Sequence, residues 1–174
     1  NPWDFPYRGR LPHEITEANP IADRCYAFSD ATKHFFVKDA EHPYVQEKPF
    51  SWQRGYQLGG RSLLWSKHCY RLRDLDFEAN AKEGIGVDWP VRYNDIKPWY
   101  DYVEKFAGIS GNKDGIPHLP DGQFQPPMDF TCVEKEASAK MREHYKGQRH
   151  LTIGRVANLT QPLPGRTQCQ FRNK

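Results

Sequence analysis

The chain has 174 residues, enough for one domain or two small ones, and carries 25 Lys and Arg against 22 Asp and Glu. Its formal net charge of +3 is too small for the broad basic face of a nucleic-acid-binding protein, and no stretch approaches the ~20 apolar residues of a membrane-spanning helix. Leu, Ile, Val and Phe make up only about a fifth of the chain, so we expect a loop-rich folded segment that packs against a larger body.

Residues 1–50 are polar and aromatic, and proline recurs through them. No sustained helical or alternating pattern is present, which predicts ordered loop with short elements. Phe35, Phe36 and Val37 form the best candidate strand. The aromatic side chains of this segment are interpreted either as packing residues or as a sugar-stacking surface.

Residues 51–107 begin with an apolar-leaning run interrupted by two adjacent glycines, Gly59 and Gly60. Glycine allows backbone conformations and close approaches that a Cβ would block. If the N–H groups after such a turn converge, they can hold an anionic or carbonyl group of a ligand. The pair is therefore interpreted either as an ordinary turn or as a turn that borders a ligand cavity.

A helix is predicted from Tyr93 to Ala107. Asn94 or Asp95 can cap its start, and Gly108 follows its end. Apolar residues recur at three- and four-residue spacing, which predicts one buried face. The residues of this apolar stripe are Ile96, Trp99, Tyr100, Val103 and Phe106.

Residues 108–174 open with a Gly- and Pro-rich stretch, 108–130, which predicts a long surface loop. A second helix is predicted over 133–146, because Thr131 and Glu134 form a capping-box pattern and Gly147 suits a helix end. A strand is predicted over 150–157. The predicted organisation is thus three segments, 1–50, 51–107 and 108–174, the last of them truncated at its C-terminus.

The four cysteines are widely scattered and form no C-x-x-C pair. This spacing favours ordinary thiols over a zinc site or a redox dithiol, and no metal site is predicted. The cellular compartment stays open between periplasm and cytoplasm, the periplasm being slightly favoured by the resemblance described next. The cysteines are Cys25, Cys69, Cys132 and Cys169.

The run Gly59-Gly60-Arg61-Ser62-Leu63-Leu64-Trp65 resembles the flavin-contact motif of the glucose–methanol–choline (GMC) FAD-dependent oxidoreductases. The most similar branch holds the bacterial gluconate and sugar dehydrogenase large subunits and the pyranose-oxidase-like enzymes. The resemblance covers roughly residues 50–174. Its further matches, in chain order, are Trp89-Pro90, Tyr93, Pro98-Trp99-Tyr100, Pro126-Pro127 and the stretch from Arg166 to Cys169.

The resemblance implies an α+β fold and an internal fragment of a two-domain FAD oxidoreductase. The fragment would join the flavin-contact segment of the FAD domain to part of an antiparallel-sheet substrate domain. The family's G-x-G-x-x-G unit, which seats the FAD diphosphate, does not occur in these residues. Its catalytic histidine is expected outside them as well, so no catalytic residue is assigned here.

The same resemblance implies a set of cofactor contacts. Gly59 and Gly60 would let the backbone pass close to FAD, Arg61 and Ser62 would present N–H groups and a hydroxyl, and Trp65 and Ser66 would lie at the isoalloxazine ring. His68 is interpreted either as a flavin neighbour or as a packing residue. Some relatives carry, at the position of Leu64, a histidine that is covalently linked to the flavin. Because leucine has no nucleophile, FAD is expected to be held non-covalently. The implied set is Gly59, Gly60, Arg61, Ser62, Leu63, Trp65, Ser66 and His68.

The implied activity is oxidation of a CH–OH group of a sugar, polyol or sugar acid by hydride transfer to flavin. The implied partners are the rest of the same enzyme chain and, in some relatives, a small subunit or an electron-accepting cytochrome. The fragment alone is expected to be inactive. The alternative hypothesis is a carbohydrate-binding module that uses exposed aromatic residues without catalysis.

Overall fold

A computed structural model describes residues 4–169 and divides the chain into two compact units, Asn1–Ser66 and Lys67–Lys174. Across residues 4–169, four α-helices and several short 3-10 turns are joined by loops. Within the described range, β-structure is confined to isolated bridges. The α+β class and the three predicted segments remain predictions about the complete fold.

The first unit contains one short helix, α1 (His13–Ala18), and 3-10 turns at Pro6–Gly9, Ala22–Arg24, Lys33–Phe35 and Gly60–Leu63. Its small apolar core consists of Ala22, Phe36 and Leu64. The rings of Phe28 and Phe36 meet edge to face with their centroids 5.1 Å apart, a favoured geometry for aromatic pairs. The core is therefore built from turns rather than from long elements.

The strand predicted at Phe35–Val37 is wrong. Phe35 ends a 3-10 turn, in which its N–H donates to the Thr32 carbonyl oxygen at 2.9 Å. Only the Val37 N–H reaches a distant backbone group, the Arg54 carbonyl oxygen at 3.0 Å. The N–H groups of Phe35 and Phe36 are thus hydrogen-bonded within the turn, and no β-ladder forms.

A buried arginine organises the loops after this turn. The Arg54 side chain is 8% exposed and forms a 2.6 Å ion pair with Asp39. The same guanidinium donates to the His42 carbonyl oxygen and lies over the rings of Tyr44 and Trp52, 5.1 and 5.2 Å from their centroids. Since Arg54 contacts residues 12 to 15 positions away, it ties separate loops together.

The second unit contains α2 (Asp74–Lys82), α3 (Tyr93–Ala107) and α4 (Cys132–His144). The predicted bounds of α3 are confirmed: the Asp95 carboxylate accepts from the Arg92 N–H at 2.8 Å, and Gly108 ends the helix with φ +75°. The capping box of α4 is also confirmed, because the Glu134 N–H donates to Thr131 Oγ1 at 3.3 Å. Helix α4 begins and ends within two residues of its predicted bounds, 133–146.

The apolar stripe of α3 does not form a buried face in this unit, contrary to prediction. Trp99 is 70% exposed and Phe106 is 67% exposed, and Val103 is exposed as well. The buried helix residue is instead Glu104, because that side of α3 packs against a charged partner and the following loop. Within residues 4–169, the unit buries the polar side of α3 and leaves most of the apolar stripe uncovered.

The loop 108–130 is only partly at the surface, and the predicted strand 150–157 is wrong. Ser110 is fully buried and exchanges backbone hydrogen bonds of 2.9 and 3.0 Å with Val156. The Gly111 N–H also donates to the Gln125 carbonyl oxygen at 3.2 Å. Within 150–157 only Val156 bridges other segments, namely His68 and Ser110, so isolated bridges form in place of a continuous strand.

A buried ion pair joins the start of this unit to α3. The Arg71 guanidinium donates to both Glu104 carboxylate oxygens at 2.8 and 2.6 Å, to the Tyr93 hydroxyl at 2.9 Å and to Asp101. Burial by itself opposes the charge, but these hydrogen bonds outweigh it and raise the pKa of Arg71. The Gln123 N–H donates to the same Glu104 carboxylate at 2.7 Å. Glu104 therefore connects three separate stretches of chain.

We expect Glu104→Gln to lower the free energy of unfolding by about 3 kcal/mol, because it leaves the buried Arg71 charge undercompensated. Urea unfolding measures the change. The matched control is Glu136→Gln on α4, which removes only an exposed ion pair with Lys140 and should cost less than about 1 kcal/mol. Equal effects of the two substitutions would contradict this view of the second unit.

Candidate functional site

The Gly59–Gly60 turn has the backbone that only glycine adopts readily. Gly59 has φ +97° and Gly60 has φ +60°, and a 3-10 turn begins at Gly60. The Gly60 N–H donates to the Gln57 carbonyl oxygen at 3.1 Å, and the Leu64 N–H donates to the Arg61 carbonyl oxygen at 2.9 Å. Any other residue at these two positions would be strained, so the paired glycines serve this turn.

Three side chains hold carbonyl oxygens of the turn and of the loop before it. Ser62 Oγ donates to the Gly59 oxygen at 2.5 Å, and Gln57 Nε2 donates to the Gly60 oxygen at 3.1 Å. The Arg61 guanidinium donates to the Gln53 oxygen. The Ser62 hydroxyl, expected to face a cofactor, is thus engaged within the turn itself.

The turn lies at the surface, and none of its residues lines the cleft between α1 and the Lys33–Phe35 turn in the first unit. A Cβ on Gly59 would contact the Leu63 side chain at 3.1 Å, whereas no atom lies within 4 Å of the Cβ position of Gly60. One side of the turn is therefore closed by its own neighbour, and the main chain at Gly60 is open. All the predicted cofactor contacts are exposed: Gly59, Gly60, Arg61, Ser62, Leu63, Trp65, Ser66 and His68.

Leu64 faces away from this exposed surface. Its side chain belongs to the apolar core, and its carbonyl oxygen accepts a 2.6 Å hydrogen bond from the Tyr26 hydroxyl. Its chain neighbours Leu63 and Trp65 are 50% and 44% exposed. Leu64 thus anchors the turn to the first unit, while the residues on either side of it present apolar surface to solvent.

His68 belongs to the second unit. It bridges to Val156, and its ring lies parallel to that of Tyr70 with the centroids 6.2 Å apart. A Cβ on Gly154 would lie 3.6 Å from His68 Nε2, so the ring packs closely over this glycine. His68 is nevertheless exposed, so both interpretations of this residue stay open.

The neighbouring thiol is not activated. The Cys69 N–H donates to the Arg155 carbonyl oxygen at 2.9 Å, and burial, followed by the negative charge of Glu104, raises the pKa of Cys69. All four cysteines are free thiols. Among residues 4–169, no cluster of three or more His, Cys, Asp or Glu side chains is placed to hold a metal ion.

Sequence reasoning missed Gln57 and the buried arginines. Gln57 stands two positions before the glycine pair and holds it through both its backbone and its side chain. Arg54, Arg71 and Arg155 are each at least nine-tenths buried. A glutamine near a turn carries no distinctive sequence signal, and arginine is ordinarily a surface residue, so neither role is visible in the pattern.

No family model matches the chain. It is 33% identical over 66 residues to the 2-methyl-1,2-propanediol dehydrogenase of Mycolicibacterium austroafricanum. The aligned region covers 37% of this chain and 12% of that protein. It is 28% identical over 87 residues to the paromamine 6'-oxidase of Streptomyces fradiae, with 48% of this chain and 16% of that protein covered.

A longer match extends over 124 residues of the fructose dehydrogenase large subunit of Gluconobacter japonicus, at 24% identity, covering 67% of this chain and 22% of that protein. The chain thus spans between 12% and 22% of the length of these relatives. The three matches relate it to oxidoreductases, namely dehydrogenases and an oxidase. No helix within the described residues has the length and apolar character needed to cross a membrane.

We expect Cys69 to react with a thiol reagent at least roughly tenfold more slowly than the exposed Cys132 at pH 8, because only the thiolate attacks and the raised pKa keeps Cys69 protonated. Time-resolved labelling of Cys132→Ser and Cys69→Ser variants assigns each rate. The gap should narrow as the pH rises above 9.0, the ordinary pKa of the thiol. Equal rates at pH 8 would contradict the assignment.

Proposed function

We propose that this chain is an internal portion of a GMC-type FAD-dependent oxidoreductase that oxidises a CH–OH group of a sugar, polyol or sugar acid. The single observation that carries the proposal is the Gly59–Gly60 turn: both glycines take left-handed backbone, and the main chain at Gly60 is open to an approaching group. The matches to dehydrogenases and an oxidase support the same class of reaction.

The residues of the turn fit a cofactor that approaches the main chain closely. A side chain at Gly60 would occupy the open space beside the turn, and the backbone of Gly60 and Arg61 would line the contact. Trp65, which is half-exposed, would offer an apolar surface to a flat ring. Leu64 is buried and has no nucleophile, so the cofactor would be held non-covalently. When bound, FAD would accept the hydride from the alcohol carbon.

The exposure of this segment supports a larger enzyme. Large apolar side chains are exposed around the turn, at Leu58, Leu63 and Trp65, and on α3, at Trp99 and Phe106. Grouped exposed apolar side chains are typical of surfaces that contact another chain segment or protein. The relatives extend far beyond the region that this chain matches. We infer that further chain covers these surfaces, completes the two-domain fold and supplies the general base for the alcohol proton.

The substrate and partners follow from the relatives only as proposals. Their names give a propanediol, paromamine and fructose as the compounds acted on, and a hydroxyl-rich substrate is accordingly proposed here. One relative is the large subunit of its enzyme. A small subunit or an electron-accepting cytochrome is therefore a candidate partner.

A carbohydrate-binding module is the second candidate function, favoured by the exposed aromatic residues Tyr26, Trp52 and Tyr56 of the first unit. Aromatic faces stack on sugars without any cofactor. The colour of the purified protein distinguishes the two functions: the complete oxidoreductase should be yellow because it contains flavin, and a binding module should be colourless.

We expect Gly60→Val in the full-length protein to reduce the FAD content at least roughly tenfold, because the side chain fills the open approach and strains the backbone. Absorbance of the released flavin measures the content. The matched control is Gly84→Val, since Gly84 has φ +68° and an equally open Cβ position but follows α2 in the second unit. Unchanged flavin content and activity in Gly60→Val would defeat the assignment.

A further inference from the structure

Gln57 forms hydrogen bonds with both the N–H group and the carbonyl oxygen of Gly60. The Gln57 carbonyl oxygen accepts from the Gly60 N–H at 3.1 Å, and Gln57 Nε2 donates to the Gly60 carbonyl oxygen at 3.1 Å. The first bond closes the turn, as a backbone contact of any residue could. The second hydrogen bond requires a side chain as long as that of glutamine, with a donor at its end.

The Gln57 amide is confined to one orientation. Its Oε1 atom is buried and has no hydrogen-bond partner in the described part of the chain. A Cβ on Gly55 would lie only 2.5 Å from this oxygen and 2.8 Å from the Phe35 carbonyl oxygen, so the missing side chain of Gly55 makes room for the amide. A flipped amide would set Oε1 against the Gly60 oxygen, placing two acceptors together. The amide is thus oriented to serve Gly60, at the expense of its own oxygen.

The Gly60 oxygen shares a peptide plane with the Arg61 N–H. In a trans peptide the C=O and N–H bonds point in opposite directions. A side chain that fixes the direction of the Gly60 carbonyl group therefore also fixes the direction of the Arg61 N–H, which points away from Gln57. This N–H is one of the donors that the flavin-contact motif would present to the cofactor.

We propose that Gln57 is a positioning residue for cofactor binding: its side-chain amide, acting with the 3-10 turn Gly60–Leu63, holds the Gly60–Arg61 peptide plane and thereby aims the Arg61 N–H at the cofactor. The inference rests on the proposed function. Gln57 itself contacts the turn and not the cofactor, so its effect is on the geometry of a donor rather than on the number of contacts.

The test compares Gln57→Glu with Gln46→Glu in the full-length protein. Glutamate at 57 has no amide donor and sets a carboxylate against the Gly60 oxygen. At 46 it keeps the needed acceptor, because Gln46 Oε1 only accepts from the Phe50 N–H at 2.7 Å. FAD titration of each apoprotein measures affinity, and thermal unfolding of the same apoproteins measures stability. Gln57→Met, which loses the amide without adding charge, serves if the carboxylate prevents folding.

We expect Gln57→Glu and Gln57→Met to weaken FAD binding at least tenfold while the unfolding midpoint of the apoprotein stays close to that of Gln46→Glu. Wild-type FAD affinity in both Gln57 variants would overturn the inference. A fall in apoprotein stability that accounts for the lost affinity would also overturn it, because Gln57 would then be a general structural residue. A wild-type protein that binds no FAD would overturn the proposed function itself, a result distinct from either.

Discussion

Buried arginine side chains hold this chain together where a large apolar core would ordinarily do so. In the first unit Arg54 ties distant loops together through Asp39 and two aromatic rings. In the second unit Arg71 joins α3 through Glu104, and Arg155 pairs with Asp121 at 2.9 Å and lies over Phe124. Because a buried charge is tolerated only when it is paired and hydrogen-bonded, each arginine requires its partners in place. The loops between the helices are ordered by this requirement.

The glycine turn shows the same reliance on polar contacts. Gln57 and Ser62 hold the two carbonyl oxygens of the turn, and Leu64 anchors it to the core. The turn is thereby fixed before any ligand arrives, while the main chain at Gly60 stays open. Preorganised backbone donors of this kind suit a cofactor that is gripped by the main chain, because little reorganisation is needed on binding. The link to an FAD oxidoreductase is our proposal, and the dehydrogenase and oxidase relatives support its class.

Local signals in the sequence predicted the bounds of α3 and α4, but α1 and α2 were not predicted and the packing was predicted poorly. Glycine after α3 and the Thr131–Glu134 box gave the helix ends, because capping depends on residues within one turn. The apolar stripe of α3 was predicted to be buried, but the residue buried within its unit is Glu104, whose partner Arg71 lies 33 residues away. An ion pair between residues far apart in the chain produces no periodic pattern in the sequence. The strand predicted at 150–157 is replaced by isolated bridges from Val156 to His68 and Ser110. The glycine pair of the candidate site was visible in the sequence, but the role of Gln57 was not.

The most direct measurement is the visible absorption spectrum of the full-length protein under anaerobic conditions, recorded before and after addition of a sugar or a vicinal diol. The account predicts a flavin spectrum that bleaches when a substrate reduces the cofactor, and flavin that is released intact when the protein is denatured. A protein that shows no flavin bands at all would contradict it.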